Sequence, residues 1–164
     1  MRGPTLVSGV LQIDIDDENI RRFYAYGSGS AGDIVVIDMT AGSITAHGYQ
    51  AVEVLPHTEA GNEEALVVGV ALDAWSADET IIRVQVGGVA ENVNVDAGVA
   101  IGDLLIPAYN TTDAGRVKAA HDTVAGSYNQ GNLQLMFNSR AVGVALTAAS
   151  SNKATVRLLN PLNF

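Results

Sequence analysis

The pentapeptide VGVAL occurs twice in this chain of 164 residues, at 68–72 and again at 142–146. Neither copy carries a side chain able to do chemistry, so the repeat speaks of architecture, and self-similarity at this scale constrains a fold before composition does. Extended forward, VGVALDAWSADETIIRVQ aligns with VGVALTAASSNKATVRLL, which sets Arg83 on Arg157 and Trp75 on Ala149. Looking backward, AGDIVVID aligns with IGDLLIPA, which sets Gly32-Asp33 on Gly102-Asp103. Each half therefore runs in one order: Gly-Asp, apolar strand, loop, VGVAL, hairpin, final strand. An internal duplication explains a shared order of several elements better than chance does.

Both copies read as β structure, because short apolar runs alternate with polar residues at period two and are bounded by turn residues. In TIIRVQV, Ile82, Val84 and Val86 share a face, with Ile81, Arg83 and Gln85 opposite. In VLQIDID, Leu11, Ile13 and Ile15 share one face and Gln12, Asp14 and Asp16 the other. Within VGVAL the alternation puts Val68, Val70 and Leu72 on one side and only Gly69 and Ala71 on the other. A neighbouring backbone can then approach closely at Gly69 and at its counterpart Gly143. The Gly32-Asp33 and Gly102-Asp103 pairs suit turns that feed a strand, since Gly tolerates positive φ and Asp bonds nearby amides. No long helical stripe is present, and DENIRRFYAY suits a short helical turn or a strand. The expected fold is all-β, an antiparallel barrel or sandwich of two similar units with an extended N-terminal segment. Residues 1–26 form the arm or a first strand; 27–164 form one domain, with repeats at about 27–88 and 97–164.

Composition limits the function classes. Hydrophobic residues make up 48% and charged residues 16%, the balance of a folded chain and not a disordered one. No apolar run reaches a membrane span, and the start MRGPTLVSGVLQIDIDD turns acidic too soon for a signal peptide, so a soluble, unprocessed chain is expected. The net charge of −9 opposes nucleic acid and anionic lipid, so neither is an expected partner. The first 82 residues carry 3 basic and 13 acidic side chains, the remainder 6 and 5. Cysteine is absent, which removes disulfides, thiolate nucleophiles and cysteine-bound metals together.

Searches for chemistry end without a site. GSGSAGD has no following Lys, and the next run is a strand where a phosphate loop needs a helix. The acidic cluster at Asp14–Glu18 lacks the glycine and final Glu of a calcium loop and reads as a solvated strand edge. His47, His57 and His121 show no metal-ligand or triad spacing. No enzymatic activity, metal or cofactor is expected. The most distinctive surface candidate is RRFYAYG, where Arg21, Arg22, Phe23, Tyr24 and Tyr26 combine the residue types enriched at interface centres. Core packing and sugar binding are its other readings. Trp75, which the repeat does not require, serves either contact or closure of the barrel end.

The order Gly-Asp plus strand, VVGVALDA, ETIIRVQVGGV, IGDLLIPA, GRV and AVGVALTAASSNKATVRLL resembles the capsid decoration (cement) proteins of tailed phages over roughly residues 27–160. That resemblance implies a non-catalytic virion protein, made in the host cytoplasm, on the outer capsid surface. It binds the major capsid protein, often as a homotrimer, and clamps neighbouring subunits. It also implies an N-terminal arm that adds to a capsid strand, here Arg2, Pro4, Thr5, Leu6 and Val7, whose extended character suits strand addition; an ordinary first strand of the barrel is the competing reading. A receptor- or glycan-binding fibre or baseplate domain is the alternative function, with RRFYAYG as its contact.

Overall fold

A computed structural model describes residues 5–7, 10–12, 19–37, 53–56, 67–108, 114–120 and 141–159. These residues carry twelve strands and no α-helix. Strands β1 (Thr5–Val7) and β2 (Val10–Gln12) form a separate antiparallel hairpin with Leu6 opposite Leu11. Next come β3 (Ile20–Ala25), β4 (Ile34–Ile37), β5 (Glu53–Pro56), β6 (Val67–Ala71) and β7 (Thr80–Gln85). They close into a barrel of order β3-β5-β4-β6-β7, with β3 also paired to β7. The second set is β8 (Val89–Asn94), β9 (Leu104–Pro107), β10 (Val117–Ala119), β11 (Gly143–Ala145) and β12 (Lys153–Leu158), in the sheet order β10-β9-β11-β12-β8. The expected all-β class with two like units is the observed one. Among the described residues all pairings are antiparallel except the β3–β5 seam and one position, Val95 with Val117.

The duplication extends to register. Ile34 faces Val70 and Val35 faces Gly69 in the first unit, as Leu104 faces Val144 and Leu105 faces Gly143 in the second. Gly32 N–H donates to Ala71 O at 2.8 Å, and Gly102 N–H donates to Ala145 O at 2.8 Å. Ser30 N–H donates to Asp33 Oδ2 and Ala100 N–H to Asp103 Oδ2, both at 2.7 Å. Each Asp thus closes its own turn, the local bonding that favours Asp at such positions. Gly32 and Gly102 both have positive φ, 94° and 89°, which explains the glycine of each Gly-Asp pair.

Two sequence expectations are corrected. The final strands do not align as Arg83 with Arg157: Leu72 N–H donates to Arg83 O, whereas Leu146 N–H donates to Thr155 O. Arg83 therefore corresponds to Thr155, because the second hairpin is two residues shorter. The same equivalence sets Arg83 N–H donating to Asp73 Oδ2 beside Thr155 N–H donating to Thr147 Oγ1, both at 2.9 Å. Nor do Val68 and Val70 share a face, since the β4–β6 register shifts between Val35 and Val36. Such a bulge adds a residue to one strand and breaks strict alternation. Val68 and Ala71 then enter the barrel interior, while Val67 and Val70 join the core shared with the second unit.

The first barrel interior holds Phe23, Ala25, Val35, Val68, Ala71, Trp75, Ile82, Val84 and Val86. Its counterparts Val93, Val95, Leu105, Val142, Ala145, Ala154, Val156 and Leu158 are buried in the second unit, where Ala149 packs at the position of Trp75. Ile34, Val36, Val67 and Val70 extend that second core across the junction, so β4 and β6 bury both faces. Two-sided burial is why IVVI and VVGVA read as continuous apolar runs. Burial of the Val, Ile, Leu and Phe side chains among these, each contributing about 1.5–3 kcal/mol, holds the units as one body.

Candidate interaction surface

The seam between β3 and β5 is where the units differ. In the first unit Tyr24 pairs with Glu53 and Ala25 with Val54. In the second, only Val95 pairs with Val117, because the Gly-Asp turn of the first unit enters the remaining gap. Asn94 N–H donates to Gly32 O at 2.9 Å, and Ile34 N–H donates to Gly115 O at 2.7 Å. The Asn94 amide donates to Asp33 Oδ1 at 2.6 Å, and Lys153 Nζ to Ala31 O at 3.3 Å. Asp33, only 7% exposed, thus has both carboxylate oxygens satisfied, as a buried acid requires. Gly115 leaves room for that carboxylate, and Gly32 lies against the Asn92 carbonyl at a point where β8 bulges and Asn92 adopts φ of 57°. A groove of about 460 Å³ runs along this junction, bordered by Ile20, Leu72, Gln85, Val89 and Glu91.

Outward of the first barrel, β3 and β7 present a mixed face. Tyr24 lies opposite Ile81, and Arg22 opposite Arg83. Arg83 is held by Asp73, with Nη2 to Oδ1 at 2.6 Å and Nε to Oδ2 at 3.0 Å. This bond keeps the Asp73 carboxyl below its ordinary value and raises the Arg83 guanidinium, while partial burial of Asp73 opposes the shift. Ile81 is 58% and Tyr26 50% exposed. Arg22 is exposed, and Arg21 and Tyr24 are half-buried. Phe23 and Trp75 are instead buried in the barrel interior, so RRFYAYG splits by strand alternation into a core half and an outward half. The Trp75 indole N–H donates to Tyr26 O at 3.1 Å, which fastens the barrel end beneath this face.

Of the N-terminal residues singled out in the sequence, Thr5, Leu6 and Val7 form β1, while Arg2 and Pro4 lie outside the described residues. Gly69 and Gly143 do mark close backbone approach: a Cβ on either would overlap the carbonyl of Gln85 or of Arg157. One surface escaped sequence reasoning, around Ile101 and Leu146, which are 71% and 42% exposed. Its signal was present in the repeat, where Ile101 aligns with the small Ala31. Among the described residues no three His, Cys, Asp or Glu side chains gather to hold a metal. No described helix is long and apolar enough to cross a membrane.

These features define a class, an all-β protein of two like units, the first a closed barrel and the second a five-stranded sheet. No protein-family model matches the chain, and no curated protein does. Among solved structures it is similar to the N base of head fiber gp8.5 from bacteriophage phi29, at 14% identity and a TM-score of 0.52. The match covers 86% of this chain and 93% of that one, so the likeness extends to nearly the whole two-unit arrangement. At this identity the shared property is the fold.

Proposed function

We propose that this chain is a structural protein of a phage head that binds the outside of the capsid and stabilises the shell by clamping neighbouring capsid subunits. The observation that carries the reading is the likeness, over most of both chains, to a protein described as the base of a phage head fiber. The motif order of the sequence independently resembles capsid decoration proteins. The partner is the major capsid protein, the reading involves no catalysis and no cofactor, and the site of action is the outer capsid surface.

The N-terminal hairpin supplies the attachment. It pairs with no other described strand, and a lone two-stranded hairpin is marginally stable in water, so a receiving sheet edge would complete it. Arg2, Pro4, Thr5, Leu6 and Val7 are the proposed capsid contacts. Arg21, Arg22, Tyr24 and Tyr26 form the proposed oligomer or partner contact, and Phe23 and Trp75 support it from beneath.

A second reading is favoured by the neighbour itself: a fibre base that anchors a receptor- or glycan-binding element without strengthening the shell. Co-sedimentation with expanded shells of the cognate capsid protein tests the first requirement of either reading. Saturable binding near one copy per capsid subunit is expected for a clamp, and far sparser occupancy for a fibre base. Absence of binding removes the chain from the capsid lattice.

A further inference from the structure

The contact between the two units runs in one direction. The turn 31–33 of the first unit inserts into the β8 seam of the second through Gly32, Asp33 and Asn94. Its counterpart, 101–103, faces outward: Ile101 is 71% exposed, and a side chain on Gly102 would meet nothing within 4 Å. We propose that this turn docks on β3 in the first unit of a second copy of the chain, so that copies associate head to tail.

The acceptor is the equivalent of a surface already in use. Asn92, Asn94 and Lys153, which receive the first turn, correspond to Arg22, Tyr24 and Ile81. By that equivalence Asp103 arrives at Tyr24, as Asp33 does at Asn94, and the cationic Arg22 stands beside the turn at the position of Asn92, which lies against Gly32. The apolar surface is complementary. Ile101 and Leu146 flank the donor turn, Tyr26 and Ile81 flank the acceptor, and these are four of the six large hydrophobic side chains exposed among the described residues. Burying such patches is the usual use of exposed apolar surface. Insertion requires that Tyr24 part from Glu53 while Ala25 stays paired with Val54, as Val95 alone pairs with Val117 in the second unit, and that β3, which is regular at Arg22, open there as β8 does at Asn92. A head-to-tail contact uses two different patches and closes into a ring when its rotation permits.

The inference does not depend on capsid binding, and its test uses no shells. Sedimentation velocity of the full chain is expected to show a concentration-dependent closed oligomer. Ile101→Glu on the donor and Arg22→Glu on the acceptor should each yield monomers, with far-UV circular dichroism and melting temperature unchanged. Mixing the two variants should restore one competent interface and give a 1:1 dimer that grows no further. Leu146→Lys and Ile81→Lys repeat the donor and acceptor tests. A wild type that stays monomeric at its highest soluble concentration would overturn the proposal, as would an oligomer indifferent to all four substitutions, or a mixture that remains monomeric.

Discussion

The Trp75 indole occupies the space that a side chain on Gly29 would need, and the two residues exchange backbone hydrogen bonds, Gly29 N–H to Trp75 O and Trp75 N–H to Gly29 O, each at 3.0 Å. In the second unit the same positions hold Val99 and Ala149, with Ala149 N–H donating to Val99 O at 2.9 Å. Large against none has become medium against small across one conserved contact.

Gly29→Ala should therefore destabilise the chain by about 1–3 kcal/mol through overpacking, and Trp75→Ala by about 3–5 kcal/mol through the cavity it leaves. The double variant Gly29→Val, Trp75→Ala installs the second unit's pair. Its loss in urea unfolding should fall short of the sum of the Gly29→Val and Trp75→Ala single losses by more than about 1 kcal/mol, the signature of residues in contact. Simple additivity would contradict the equivalence.

Gly69→Ala and Gly143→Ala are expected to cost at least about 2 kcal/mol each, because the obstructing atoms are backbone carbonyls that cannot rotate away. Gly102→Ala meets no neighbour, and its cost should come from φ alone, about 1–2 kcal/mol. Equal losses at all three positions would show that close approach is not what the repeated glycine provides.

Much of this was legible in the sequence. The repeat, the Gly-Asp turns, the outward set Ile81, Arg83 and Gln85, and the special status of Gly69 and Gly143 follow from periodicity and residue size. What escaped were departures from strict alternation. A bulge puts Val68 and Val70 on opposite sides of β6, and a hairpin shorter by two residues moves the partner of Arg83 to Thr155. Both preserve the apolar pattern letter for letter, so no periodicity argument detects them. The insertion of Asp33 beside Asn94 depends on the packing of one unit on the other, 61 residues apart in the chain.

Asp73 sets a pH dependence. Its carboxyl titrates below the ordinary 3.8 in the folded chain, chiefly through the bond from Arg83. A depressed folded value means stability that is complete above the unfolded value and is lost as pH falls through the folded one. The pair is partly exposed, so the contribution should be no more than about 1 kcal/mol. Asp73→Asn should abolish that part of the acid-side slope and leave the rest; an unchanged slope in unfolding between pH 5 and 2 would contradict the assignment.

Deletion of residues 1–12 removes a hairpin that pairs with no other described strand. The melting temperature of the remaining chain is expected to stay within a few degrees of the intact protein, while affinity for shells falls at least tenfold. An unfolded truncation would make the hairpin part of the barrel's foundation, and undiminished attachment would eliminate it as the capsid arm.

Differential scanning calorimetry of expanded shells, with and without saturating chain, tests the clamping claim most directly. Clamping predicts that the shell's dissociation endotherm moves upward with occupancy until it saturates. Saturated shells that come apart at the temperature of bare ones would contradict stabilisation and leave the chain as an anchor for something else.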